Sequence, residues 1–133
     1  MSTTSRTDVS STLESCRSAD VTPVVLEAES LESTAPTYLA TLKRTFAEEG
    51  FQPATVTVTA RFDSTCSIDT QSEIDRIRGY VRAASFLGAS TVSVTTESVE
   101  DVDTVEPALE ACAERANREG VRFEVDGPVT IAG

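Results

Sequence analysis

A chain of 133 residues suits one hydrophobic core and is too short for two. It carries 11 basic against 22 acidic residues, a net charge of -11, which argues against nucleic acid as a partner because phosphate binding needs a basic surface. Of the basic residues only Lys43 is lysine, there is no Trp, and Thr and Val are abundant. Excess carboxylate with scarce lysine is the composition of a protein adapted to high intracellular salt, where screening tolerates such a charge.

Three cysteines, Cys16, Cys66 and Cys112, form an odd set without CxxC spacing. Cys112 falls on the apolar side of a predicted helix and reads as a small buried hydrophobe. Cys66 falls in a loop, and without a single His in the chain it lacks a base to activate it. No apolar run approaches the length of a membrane span and no signal-peptide core opens the chain, so the expectation is a cytoplasmic protein with no membrane partner.

Residues 1–20 are rich in Ser and Thr and have little to bury, which predicts a disordered tail, with a short helix around Leu13 as the alternative. A single domain is expected over residues 21–133. Its first strand is predicted over Pro23–Glu29. Ser33 or Thr34 then caps a helix with Pro36 in its first turn, Leu39, Leu42 and Phe46 on its inner side, and Gly50 as its stop. The second strand, Ala54–Phe62, alternates strictly. After a loop from Asp63 to Asp69, Thr70 and Glu73 stand at capping-box spacing before a helix with a stripe of Ile74, Ile77, Val81, Ala84 and Leu87.

Ser90–Thr96 forms the third strand. The third helix, about Thr104 to Glu119, points Val105, Leu109, Cys112 and Ala116 inward. Val121–Val125 is the fourth strand, broken by Gly127-Pro128 before a short apolar tail. The order β-α-β-α-β-α-β predicts an α/β fold with a four-stranded, mainly parallel sheet.

Strands covered on both faces should be apolar throughout, and these are not. Val56, Val58, Ala60, Phe62, Val92, Val94, Val121, Phe123 and Val125 share one parity, while Thr55, Thr57, Thr59, Arg61, Thr91, Ser93, Thr95, Arg122 and Glu124 share the other. Helices are therefore expected on one face only. The polar face is left to water, a partner subunit or the filled interior of a barrel.

Glu29, Asp63, Glu97 and Asp126 fall at successive strand ends on the polar parity. In parallel α/β sheets sites lie beyond those ends, and converging carboxylates there could bind Mg²⁺ or Mn²⁺. The bland reading is that 22 acidic residues decorate most strand ends by chance. Arg61 and Arg122 could hold an anionic substrate, or simply pair with neighbouring carboxylates. A phosphate loop and a Ser-His pair are both absent from the sequence, and zinc is disfavoured by the lack of His.

The stretch Glu73 to Asp126 resembles the xylose isomerase-like TIM barrels, the sugar and sugar-phosphate isomerase/epimerase group. IRGYVRAASFLG (Ile77–Gly88) running into Ala89–Val94 is similar to that group's helix, Leu-Gly-Ala, strand unit. LEACAERANREGVRFEV (Leu109–Val125) is similar to its helix, Gly-Val, strand unit, and Val56 to Asp63 sits in the place of an earlier strand and loop. The resemblance implies a metal-binding Glu after the Gly-Val strand, where this chain has Asp126, and metal-site His residues, of which it has none. Four strands where a barrel has eight imply a half-barrel that dimerises or a degenerate relative without catalysis. Self-association or a protein partner is the expectation, with a metal-assisted isomerase or lyase as the alternative.

Overall fold

The computed structural model describes residues 21–131. The expected tail, the alternative helix around Leu13 and Cys16 lie outside the described residues. The elements are β1 (Thr22–Glu27), a 3-10 turn (Ala28–Ser30), α1 (Pro36–Glu48), β2 (Phe51–Phe62), α2 (Ser67–Leu87), β3 (Thr91–Val99), α3 (Val102–Arg118) and β4 (Arg122–Asp126). The strands lie in the order β1-β2-β3-β4 and every neighbouring pair is parallel. The fold is α/β, with helices alternating with the strands, as the sequence pattern implies.

The helices take one face of the sheet. Val56, Val58, Ala60 and Phe62 of β2, Val92 and Val94 of β3, and Phe123 and Val125 of β4 are buried in one cluster with Ile74, Ile77, Val81 and Ala84 of α2 and Val105, Leu109, Cys112 and Ala116 of α3. Leu39 of α1 packs with Ala83 and Leu87 of α2 and with Leu26 of β1. Each buried Leu or Ile in this layer contributes about 1.5–3 kcal/mol, which fixes the helices to this side. Of the opposite parity, Thr59, Arg61, Thr95 and Arg122 are exposed while Thr55, Thr57, Thr91 and Ser93 are half-buried, and Val25 on β1 is 66% exposed.

Several boundaries differ from the sequence expectation, each for a local reason. β2 begins at Phe51 and takes in Pro53, because Ala54 is an extra residue between the pairs Val24↔Pro53 and Val25↔Thr55. Proline is accommodated in sheets at such bulges. β1 ends at Glu27, so Glu29 stands in the 3-10 turn and not on a strand. Ala35 rather than Ser33 or Thr34 is the N-cap of α1, and the Ser33 hydroxyl accepts the Ala35 N–H at 2.9 Å.

α2 starts at Ser67, three residues before Thr70 could cap it, with Cys66 as its N-cap. It ends at Gly88, whose φ of 82° is the left-handed stop expected there. β3 runs on to Val99, which places Glu97 inside the strand. Asp101 caps α3, accepting the Thr104 N–H at 3.3 Å and its hydroxyl at 2.8 Å. After β4 the chain turns back: Val125 and Ile131 exchange two backbone hydrogen bonds of 2.9 Å in an antiparallel bridge, and Val129 is buried.

Candidate functional site

The C-terminal ends of the strands carry two groups of charged side chains. β1 stops at Glu27, opposite Thr57, and β2 continues past it. The β2 backbone beyond that point bonds to side chains instead. The Thr59 N–H donates to Glu29 Oε2 at 2.9 Å, and the Arg61 N–H donates to Glu73 Oε2 at 3.0 Å. Arg76 Nη2 donates to the Thr59 carbonyl at 2.7 Å and to Glu73 Oε2 at 2.9 Å, while Arg76 Nε donates to Glu73 Oε1 at 2.9 Å.

The Arg76–Glu73 pair is a two-pronged fork, the strongest geometry such a pair adopts. Arg76 Nη1 also lies 3.7 Å from Glu29 Oε2, and the guanidinium stands 5.5 Å from the Tyr80 ring centre. Burial acts to raise the Glu73 carboxyl. The Arg76 hydrogen bond, the Arg61 N–H and the Arg76 charge together outweigh it and hold the group below its ordinary 4.5. The hydrogen bond to Glu73 raises Arg76 well above the ordinary arginine value, against the opposing effect of burial.

The second group lies between β2 and β3. Ala60 pairs with Thr96 and Arg61 with Ser98, so Glu97 is the extra residue of a bulge. Bulges re-aim side chains at strand ends, and this one brings Glu97 beside Arg61. Arg61 Nη2 is 2.8 Å from Glu97 Oε1, and its Nη1 is 3.9 Å from Asp63 Oδ2. The Ser98 hydroxyl donates to Asp63 Oδ1.

Asp126 stands apart on β4, in register with Thr95. Its carbonyl accepts the hydroxyl of Thr96, the buried polar residue of the core, at 2.7 Å. Arg122 starts β4, with its Nε 3.5 Å from Glu124 Oε2.

The six sequence-predicted site residues thus divide. Glu29 belongs with Arg76 and Glu73, while Asp63 and Glu97 belong with Arg61; Asp126 joins neither group. Among the described residues no three His, Cys, Asp or Glu side chains are grouped to hold a metal ion. Arg61 and Arg122 are not brought together either. Arg122 is in register with Thr91, and Thr91 with Thr55, six residues before Arg61, which is about 20 Å along the strands.

Sequence reasoning missed Arg76, and saw Glu73 only as a helix cap. Their i,i+3 spacing on α2, directly before the buried Ile77, was the available signal. Cys66 is exposed and its N–H donates to the Ser64 hydroxyl at 2.9 Å, whereas Cys112 is buried and burial pushes its thiol up. Among the described residues no helix is long and apolar enough to cross a membrane.

Two solved TIM-barrel structures share this architecture. A D-tagatose 3-epimerase-like protein is 15% identical with a TM-score of 0.58, covering 85% of this chain and 47% of its own. A structure described as IOLI protein with a binding zinc atom is 16% identical with a TM-score of 0.55, covering 85% of this chain and 44% of its own. The chain therefore spans about half the length of the solved structures it matches. At such identity the likeness is one of fold alone, four parallel strands with alternating helices arranged as in part of a TIM barrel. No curated protein matches the sequence. Residues 20–125 match the family model described as "Domain of unknown function (DUF8564)", and the chain belongs to that family.

Proposed function

We propose that this domain is a non-catalytic, degenerate half-barrel relative of the sugar-phosphate isomerase group. In this reading it is cytoplasmic and salt-adapted, and it acts through protein association. One observation carries the reading: three of the four strand-end carboxylates where a barrel enzyme would build its site are committed elsewhere, and the fourth joins none of them. Glu29 serves the backbone of β2, Asp63 and Glu97 flank Arg61, and Asp126 stands alone. A guanidinium between two carboxylates supplies the positive charge that a divalent cation would otherwise supply there.

Thermal unfolding with and without millimolar Mg²⁺ or Mn²⁺ tests this directly, because a ligand that binds only the folded state raises the melting temperature. We expect no metal-dependent rise. A rise that Asp126→Asn abolishes would overturn the proposal in favour of a metal-assisted isomerase or lyase acting on a small anionic substrate.

A further inference from the structure

The sheet face away from the helices has an uncharged centre. Thr55, Thr57 and Thr59 of β2 lie in register beside Thr91, Ser93 and Thr95 of β3, with Val25 next to Thr55 on β1. The charged side chains stand around them: Glu27 on β1, Arg61 and Glu97 at the strand ends, Arg122, Glu124 and Asp126 on β4. A charge-depleted centre inside a polar rim is the anatomy of a protein interface. Four strands of 6, 12, 9 and 5 residues, about 4.8 Å apart and rising about 3.3 Å per residue, give a projected face of about 500 Å², charged rim included. With side-chain relief that approaches the ~800 Å² per partner of a standard interface.

We propose that this face is covered by a second copy of the chain, packed sheet against sheet about a two-fold axis. The inference rests on the reading that the domain works by association, and charge names the partner. A basic partner would be drawn to the acidic surface of a chain with net charge -11, not to its neutral patch. Another copy bears the same charge, and two such chains repel least where the uncharged centres of their faces meet and the charges stay at the rim. Hydroxyls both donate and accept, so a field of Thr and Ser is complementary to itself, as a two-fold interface requires.

The sheet edges are poorer places to meet. The β4 edge is taken at Val125 by Ile131, and β1 carries Pro23, which has no N–H to offer. Blocked or proline-bearing edges keep sheets from zipping together, so the contact falls on the face.

Light scattering in molar KCl should give about twice the 14.2 kDa chain mass. The double variant Thr57→Lys, Thr95→Lys sets charge in the middle of the face and should halve that mass while keeping the wild-type circular dichroism. Hydrogen exchange on the wild-type dimer gives a second readout that stands even if the variant fails to fold: outward amides of the β1 edge should exchange freely. A monomeric wild type, a variant that remains dimeric, or protected β1-edge amides would each overturn the face-to-face assembly. Any of these leaves the non-catalytic reading intact, since the metal-dependent melting shift decides that one.

Discussion

Arg76 and Thr59 meet where a strand would otherwise have to be: Nη2 of the arginine donates to the threonine carbonyl at 2.7 Å, beyond the last pair of β1 with β2. With Glu29 and Glu73 accepting the neighbouring N–H groups, three side chains extend the ladder that β1 leaves unfinished. Backbone groups at such a place need partners, and here α2 and the 3-10 turn supply them.

Glu73→Gln should therefore destabilise the fold by about 1–3 kcal/mol, because Arg76 loses its charged acceptor in a partly buried position. The sign with pH follows from the depressed carboxyl. Its contribution is fully present above the ordinary 4.5 and is lost as pH falls through the lower folded-state value. Denaturant melts between about pH 6 and pH 3 should show wild type losing more stability than Glu73→Gln over the acid range. Parallel curves would show that Glu73 does not carry the effect.

Gly127 has φ of 114°, and a Cβ built there would lie 2.2 Å from the Thr96 carbonyl oxygen. Gly127→Ala should cost about 3 kcal/mol or more, since both the backbone conformation and the close approach forbid the methyl. Thr96→Val removes the donor to the Asp126 carbonyl at nearly constant volume and should cost about 1–3 kcal/mol. Chemical denaturation of the two variants measures both losses.

Gly79 makes the opposite case. It lies within α2, and a Cβ there would meet nothing within 4 Å. Gly79→Ala should stabilise the domain by about 0.5–1 kcal/mol, the intrinsic helix preference, read as a higher denaturation midpoint. A loss instead would mark the spot, beside Ser33, Thr34 and Tyr80, as one where something approaches closely.

The two described cysteines should differ in reactivity. Alkylation of the native protein followed by peptide mass analysis should find Cys66 modified, and Cys112 modified only once the chain is unfolded, since Cys112 is buried and its thiol is held protonated.

Wherever one residue's parity decided its surroundings, the fold was readable from sequence. The stripes Ile74–Leu87 and Val105–Ala116 are buried as spaced, and the valines of β2 and β3 lie under them. Hydrophobic periodicity reports burial directly, so these readings rested on the force that builds the core. The site was far less legible. Glu29 and Glu97 were placed by counting along strands, but β1 ends early and a bulge displaces Glu97, events set by pairing between strands. The Arg76 contact with Thr59 joins residues 17 positions apart through a side chain, and no local pattern announces such a bond.

The bulge at Ala54 has a consequence for how β2 tolerates change in length. Because two residues of one strand stand against a single step of its neighbour, the stretch before Ala54 and the stretch after it are out of phase, and both Pro53 and Val56 point inward. Removing Ala54 would set Pro53 and Val56 two positions apart, which restores strict alternation with both still pointing inward and pairs Pro53 and Thr55 with Val24 and Val25 without a break, so β2 should absorb the loss of this one residue without turning over. The irregular residue thus lengthens β2 by one position without changing which of its side chains meet the helices.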